Sequence, residues 1–226
     1  MVKQYKSVQL SNQKAYRLVN SKYPPISLFD DVANSGEFEA LYQLQALTNP
    51  RLLTEVGDLN LLTKQDIPFG IPGCSYAIAP FTHINPEGSR FSNGDYGVLY
   101  LADTINTAIA ETLYHQNKIF QNIKGLHYDV VIMRGLTCIF SGNLVDLTGV
   151  NEGIYDPIDT GKANALGIKL KKAKAEGVQF NSVRYTTGMC WGLFTPKNIL
   201  SIKQTAHYQY TFDGQEITKV EKLALV

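Results

Sequence analysis

The sequence predicts an α+β domain whose core is made of short strands in a mixed or antiparallel sheet, with helices on its flanks. From Ile67 onward, short apolar runs are separated by Gly, Pro, Asn and Asp, a pattern typical of short strands joined by turns. Two stretches between these runs instead carry apolar residues at helical spacing. With 226 residues, 44% of them hydrophobic and 18% charged, the chain can bury a sizeable core without disulfides.

Residues 1–65 are expected to form a helical N-terminal extension that packs on the main domain, residues 66–226. The best-defined helix of this extension is predicted over residues 36–47, because its apolar residues recur every third position and Asn49-Pro50 follows them. These residues are Phe38, Leu41, Leu44 and Leu47. The extension contains no group of residues that indicates chemistry.

The elements of the main domain follow from its apolar runs and its turn residues. A helix is predicted after Asp103-Thr104, an N-cap pair, with Ile105, Ala108 and Leu113 on one face. A second helix is predicted over residues 162–176, ended by Gly177. The predicted strands are residues 75–81, 98–102, 128–133, 137–140, 178–183, 189–194 and 206–212, with a turn at Arg134-Gly135.

Charge and cysteine content exclude several classes of protein. The 21 basic and 20 acidic side chains leave a net charge of +1, which argues against direct binding of nucleic acid. The three cysteines are widely spaced without a CxxC pair, and the four histidines lack metal-ligand spacing. We therefore expect reduced, buried thiols and no metal. Motifs for a P-loop, a dinucleotide fingerprint or a serine-hydrolase elbow are also missing.

The predicted location of the protein is the cytoplasm. The first six residues carry charges with no apolar stretch behind them, unlike a signal peptide. No apolar run approaches the ~18 to 20 residues that span a bilayer. We expect a soluble protein that makes no membrane contact.

An arginine, a tyrosine and a glutamate are spaced so that one strand-turn-helix unit can bring them together. Arg90 lies in a polar loop beside glycine, Tyr100 lies in the following strand, and Glu111 lies in the first turns of the capped helix. A cation, an aromatic ring and an anion at one cleft rim suit a positively charged nucleotide that carries phosphate. Each residue alone has an ordinary structural explanation. Glu111 fits that explanation least, because its helix carries little charge around it.

Ser182 and Arg184 form a second pair of candidate binding residues. They share one face of a predicted strand, and their donors suit phosphate or ribose hydroxyls. His115 lies one helical turn after Glu111 and is the histidine nearest to the candidate site.

These segments resemble the RES domain family, which is named for an Arg, a Glu and a Ser. The resemblance covers roughly residues 65–200 and leaves the first 60-odd residues unexplained. Ser89 stands where the family usually has a second glycine, a departure that leaves the role of Arg90 intact. The matching segments are residues 88–92, 99–102, 107–111 and 181–184, together with Cys190 and Phe194.

The resemblance implies a fold similar to that of ADP-ribosyltransferase toxins. It also implies a bacterial toxin that breaks the nicotinamide–ribose bond of its substrate NAD+ by phosphorolysis or hydrolysis, and so depletes cellular NAD+. Inorganic phosphate would be the co-substrate of phosphorolysis. The usual partner of such a toxin is an antitoxin with an Xre-type helix-turn-helix domain.

The chemistry of this reaction suggests a role for each candidate residue. Glu111 would bind the ribose hydroxyls and stabilise the positive charge of an oxocarbenium-like state. Tyr100 would stack against nicotinamide or its ribose. Arg90 would bind the diphosphate, and Ser182 would donate to a phosphate or ribose oxygen. Arg184 is expected to recruit inorganic phosphate.

Two alternative functions use the same residues. The cleft could transfer ADP-ribose to a protein or nucleotide acceptor, since transfer and hydrolysis differ only in what attacks the anomeric carbon. Alternatively, the fold could bind a nucleotide or a partner without turnover. The sequence does not identify the acceptor.

Overall fold

The computed structural model describes residues 5–23, 34, 36–38, 40, 43, 57–151 and 153–224. Within these residues, seven strands form one sheet in the order β1-β2-β5-β4-β3-β6-β7. Neighbouring strands are antiparallel except for β3 and β4. The α+β class and the mixed sheet predicted from the sequence are confirmed. The strands are β1 Lys6–Asn20, β2 Leu99–Ala102, β3 Asp129–Asp146, β4 Gly177–Asn181, β5 Met189–Leu193, β6 Ile199–Phe212 and β7 Ile217–Lys222.

The strand pairing closes part of the sheet into a ring. Because β1 pairs with β3 as well as with β2, the five strands β1, β2, β5, β4 and β3 form a closed circuit. The pairing of β1 with β3 extends from Lys6 to Asn20. By contrast, β1 meets β2 only at Tyr16 and Ala102. The seam between β1 and β2 is therefore open along most of its length.

The helices with fully described bounds that pack on the strands are α1 Cys74–Thr82, α2 Ile105–Gln121 and α3 Gly161–Lys172. Since side chains alternate along a strand, two hydrophobic clusters lie on opposite faces. Helices α2 and α3 cover the cluster that contains Phe91 and Phe180. Helix α1 packs on the cluster that contains Leu99 and Trp191. Short 3-10 turns occur at Leu59–Leu61, Lys64–Asp66 and Pro196–Asn198.

The predicted helical extension is wrong over Lys6–Asn20, which form strand β1 in the main sheet. Only Ala15 and Leu18 of this strand are buried. The sequence therefore lacks the alternation of apolar and polar residues that would predict a strand. Its long pairing with β3 stabilises the strand instead. Residues 36–38, 40 and 43 have helical backbone as predicted, and the rest of that predicted helix lies outside the described residues. A domain boundary at residue 65 stays a prediction.

Two elements of the main domain also differ from the prediction. Residues 75–81, predicted as a strand, lie within helix α1, where burial on nearly every side removes the helical alternation of apolar and polar residues. Residues 128–140, predicted as two strands around a turn, fall from Asp129 onward on the one continuous strand β3. A Cβ at Gly135 would lie 2.8 Å from the Ala206 carbonyl oxygen. Gly135 therefore allows β6 to approach closely at an irregularity in the strand pairing.

The other predicted elements are present with differences in length, whereas strand β7 was not predicted. Strands β2, β4 and β5 lie within two residues of their predicted bounds, and helix α2 begins directly after Asp103-Thr104, as predicted. The short-strand expectation does not hold for β1, β3 and β6, which have 15, 18 and 14 residues. Helix α3 ends before Lys174, which adopts φ 61°, so Gly177 opens β4 rather than ending the helix.

Two further observations concern the cysteines and the helices. The three cysteines are buried thiols, as predicted. Among the described helices, none combines the length and apolar character needed to cross a bilayer.

Candidate active site

A cleft of about 660 Å³ opens beside helix α2 and the loop that carries Arg90. Four of the predicted site residues line it, and Ser182 contacts one of them directly. The structure thus brings together residues that are up to 94 positions apart in the chain. The assembled set is Arg90, Tyr100, Glu111, Ser182 and Arg184.

The cap of helix α2 sets the position of Glu111. The Thr104 hydroxyl accepts a hydrogen bond from the Thr107 backbone N–H at 3.1 Å, as an N-cap residue does. The Thr107 hydroxyl donates to Asp103 at 2.6 Å. A Cβ at Gly188 would lie 2.6 Å from Thr107, so the segment following Ser182 packs directly on this capped turn. Helix start and serine segment are consequently fixed relative to each other.

Ser182 holds the carboxylate of Glu111. Its hydroxyl donates to Glu111 Oε1 at 2.5 Å and accepts the backbone N–H groups of Arg184 and Tyr185 at 3.1 and 3.0 Å. A hydroxyl has one proton and two lone pairs, so these three bonds use its whole capacity. The predicted donation from Ser182 to a ligand oxygen has no free proton in this arrangement. The geometry instead gives Ser182 a positioning role toward Glu111.

Arg90 is anchored at the cleft by backbone carbonyl groups. Its Nη1 donates to the carbonyl oxygens of Ile154 at 2.7 Å and Asp156 at 3.1 Å. Burial lowers the pKa of Arg90, while the nearby carboxylate of Glu111 opposes that effect. The guanidinium keeps further N–H donors beyond the recorded ones. It can therefore bind an anion in the cleft without leaving its anchor.

Helix α3 binds the backbone of the loop that carries Arg90. The Asn164 side chain donates to the carbonyl oxygens of Ser89 and Arg90 at 2.5 and 2.8 Å. At Gly167, an added Cβ would lie only 2.1 Å from the Phe91 carbonyl oxygen. The Asn164 amide binds the loop, and the absence of a side chain at Gly167 lets the loop approach the helix. These two residues therefore determine where Arg90 lies.

Tyr100, on strand β2 of the sheet, contacts the same loop through its hydroxyl. Its hydroxyl accepts from the Phe91 N–H at 2.9 Å and lies 2.9 Å from the Ser89 Oγ. Burial raises the pKa of Tyr100 to about 12, so the hydroxyl keeps its proton at neutral pH. Its ring packs edge-on against Phe180, with 6.5 Å between centroids, and lines the cleft. The predicted stacking of Tyr100 on a ligand stays a prediction.

Arg184 lies against helix α2. Its Cζ is 3.3 Å from the centroid of the Tyr114 ring, and its Nη2 donates to the Pro157 carbonyl oxygen. His115 also lines the cleft. Burial lowers the pKa of His115, and the Glu111 carboxylate opposes that shift. The imidazole is therefore neutral at neutral pH.

Strand β1 adds an arginine that the predicted helical extension concealed. Arg17 lines the cleft and donates from Nη1 to the Tyr100 carbonyl oxygen at 2.9 Å. Burial lowers its pKa to about 10, which leaves the guanidinium charged at neutral pH. This bond bridges the open seam between β1 and β2. Tyr114 and Asn164 were also missed, since nothing in the local sequence distinguishes them from surface residues.

The cleft arginines have no carboxylate partner among the described residues. Lys219 and Glu221 form an ion pair at 2.8 Å, but both lie in strand β7 and not in the cleft. Arg17, Arg90 and Arg184 use backbone carbonyls or a ring face instead. The carboxylates of Glu111 and Asp156 act on Arg90 electrostatically without forming an ion pair with it in the described part of the chain.

The fold and the cleft together define a class of protein: an α+β domain with one clamped carboxylate and several arginines at a sheet–helix junction. The chain belongs to the RES domain family, which it matches over residues 67–213. The resemblance seen in the sequence is thereby confirmed. Strand β1, and with it Arg17, lies outside the matched residues.

One relative and one solved structure show similarity over most of the chain. The uncharacterized protein y4oC of Sinorhizobium fredii (strain NBRC 101917 / NGR234) is 28% identical over 205 residues, covering 90% of this chain and 84% of that protein. The crystal structure of the M. tuberculosis MbcT–MbcA toxin–antitoxin complex gives a TM-score of 0.43 at 11% identity, covering 96% of this chain and 86% of that chain.

Proposed function

We propose that this protein is an enzyme that breaks the nicotinamide–ribose bond of NAD+ by phosphorolysis or hydrolysis. The observation that carries the proposal is the Glu111 carboxylate, held by Ser182 in the same cleft as arginines that lack carboxylate partners among the described residues. A single carboxylate suits this reaction, because nicotinamide is a good leaving group and needs no second acid.

The reaction moves positive charge from the nicotinamide ring to the ribose. As the bond between the anomeric carbon and the ring nitrogen breaks, its electron pair stays with nicotinamide and the ribose becomes oxocarbenium-like. Glu111 would stabilise that charge, and its fixed orientation means that little reorganisation is needed during the reaction. Phosphate or water would then form the new bond to the anomeric carbon.

The arginines would hold the negative part of the substrate. Arg90 would bind the diphosphate, and Arg184 is placed to bind phosphate, either of the nucleotide or of the co-substrate. Tyr100 would contribute its ring to the wall beside nicotinamide. Ser182 would act through Glu111, in agreement with its hydrogen bonds.

We further propose that this activity serves as the toxin of a bacterial toxin–antitoxin pair in the cytoplasm. RES-domain membership supports this role. An antitoxin with an Xre-type helix-turn-helix domain is the proposed partner. Expression of the protein alone is expected to arrest bacterial growth with a fall in NAD+, and co-expression of the antitoxin is expected to restore growth.

The test of the activity is nicotinamide release from NAD+ by purified protein, with and without inorganic phosphate. Release that increases with phosphate indicates phosphorolysis, and release that is independent of phosphate indicates hydrolysis. Glu111→Gln is the matched inactive control. If neither condition releases nicotinamide, and no labelled ADP-ribose appears on an acceptor in lysate, the proposed enzyme activity is wrong.

A further inference from the structure

Helix α2 presents Tyr114 toward the cleft in addition to Glu111. Tyr114 follows Glu111 by three residues and so lies on the same helix face. The Cζ of Arg184 lies over its ring, 3.3 Å from the centroid. The ring face is therefore the part of Tyr114 that contacts Arg184.

The ring contact leaves the donors of Arg184 available. A guanidinium carries five N–H groups in its plane, and stacking on an aromatic face uses none of them. The hydrogen bond recorded for this group runs from Nη2 to the Pro157 carbonyl. Arg184 lines the cleft and forms no ion pair with a carboxylate of the described residues. Its remaining donors can therefore face an anion.

We propose that Tyr114 is a positioning residue that fixes Arg184 as a phosphate-binding side chain of this cleft. The ligand is a phosphate group, carried either by the nucleotide or by inorganic phosphate. The assignment of that phosphate to a reacting substrate rests on the proposed function, whereas anion binding at Arg184 does not.

The physical reason is the freedom of a long side chain. Without the ring, Arg184 would be held by the Pro157 carbonyl alone and would sample many rotamers. The cation–π contact restricts this rotamer freedom before an anion binds, so that less conformational entropy is lost on binding. Loss of the ring face is expected to weaken anion binding about 5- to 30-fold.

The experiment compares Tyr114→Leu, Tyr114→Phe and Arg184→Gln in two assays. Calorimetry measures the affinity for inorganic pyrophosphate, and nicotinamide release gives kcat and KM for NAD+ and for inorganic phosphate. Tyr114→Leu and Arg184→Gln are expected to weaken pyrophosphate binding and to raise one KM by more than they lower kcat. Tyr114→Phe keeps the ring face and is expected to restore wild-type values. The double variant Tyr114→Leu/Arg184→Gln is expected to be no weaker than Arg184→Gln.

The outcomes separate the two phosphate sources and the two proposals. A raised KM for NAD+ alone assigns the phosphate to the nucleotide, and a raised KM for inorganic phosphate alone assigns it to the co-substrate. Unchanged binding in Tyr114→Leu, or additive losses in the double variant, overturns the positioning role. If Tyr114→Leu does not fold, Arg184→Lys replaces it, because lysine keeps the charge without the planar stack. A wild type that binds pyrophosphate but releases no nicotinamide overturns the enzyme proposal alone.

Discussion

Helices α1 and α2 pack on opposite faces of the same sheet and are built for different purposes. Helix α1 has no acidic residue in its first turn, no basic residue in its last turn and no side-chain cap, and most of its residues are buried. Helix α2 is capped by Thr104 and keeps only Thr107, Ala108 and Phe120 fully buried. Its remaining surface carries Glu111, Tyr114 and His115 to the cleft. Helix α1 contributes only Pro80 to the cleft wall, whereas helix α2 packs on the sheet with one face and lines the cleft with charged and aromatic side chains on another.

The largest expected effect concerns the carboxylate on helix α2. Glu111→Gln keeps the shape of the side chain but removes the charge that would stabilise the oxocarbenium-like state. We expect kcat for nicotinamide release to fall about 10²- to 10³-fold, the range for loss of one preorganised electrostatic group. Steady-state kinetics with a thermal unfolding control measures this.

The control for that variant lies on helix α1. Tyr76→Phe removes a hydroxyl that accepts a hydrogen bond from Arg134 at 3.4 Å, outside the cleft. Its kcat is expected to equal that of the wild type. A similar loss of turnover in both variants would mean that the loss in Glu111→Gln is not specific to the cleft carboxylate.

The difference between helices α1 and α2 also explains which of them could be predicted from the sequence. Helix α2 was predicted because its cap and its one-sided apolar pattern are both local signals. Helix α1 was misread as a strand, since apolar residues on every side leave no helical period. Likewise, Arg90, Tyr100 and Glu111 were found because they lie within one short strand-turn-helix unit.

Residues whose roles depend on distant contacts were not predictable. Asn164 binds a loop 74 residues away, and Arg17 reaches a carbonyl 83 residues away. Tyr114 becomes significant only when Arg184 is placed over it. Ser182 was predicted as a site residue, but its partner was not, because the bond to Glu111 spans 71 residues.

The second prediction compares two glycines in equally tight contacts. An added Cβ would lie 2.1 Å from the Phe91 carbonyl at Gly167, and 2.1 Å from the Ile202 carbonyl at Gly73, the N-cap of helix α1. Alanine at either position is expected to lower the unfolding free energy by roughly 1–3 kcal/mol. Gly73 also has φ 78°, which adds about 1 kcal/mol for an L-residue.

The two alanine variants should differ in turnover. Gly167→Ala moves the loop that carries Arg90, so its KM for NAD+ is expected to rise. Gly73→Ala disturbs only the packing side, and its folded fraction is expected to keep normal kinetics. Denaturant unfolding and kinetics below the unfolding temperature measure both. Normal kinetics in a folded Gly167→Ala protein would show that helix α3 does not position Arg90.

The third prediction separates two roles for Ser182. Ser182→Ala removes the hydrogen bond to Glu111, and a hydrogen bond to a charged group contributes about 1.5–3 kcal/mol. We expect kcat to fall roughly 10- to 100-fold with little change in KM, because the loss acts through the orientation of Glu111. A raised KM with unchanged kcat would instead indicate direct contact between Ser182 and the ligand.

The smallest expected effect is the pH dependence that His115 gives to stability. Burial lowers its pKa below the usual histidine value of 6.5, with Glu111 opposing the shift and Arg184, Lys118 and Arg90 reinforcing it. The folded protein therefore binds fewer protons than the unfolded chain, so protonation favours unfolding. The unfolding free energy should decline as pH falls below about 6.5, and it should decline less in His115→Gln. Urea unfolding between about pH 7.5 and pH 5.5 measures the difference, and parallel curves for the two proteins would contradict a buried, neutral imidazole at the cleft.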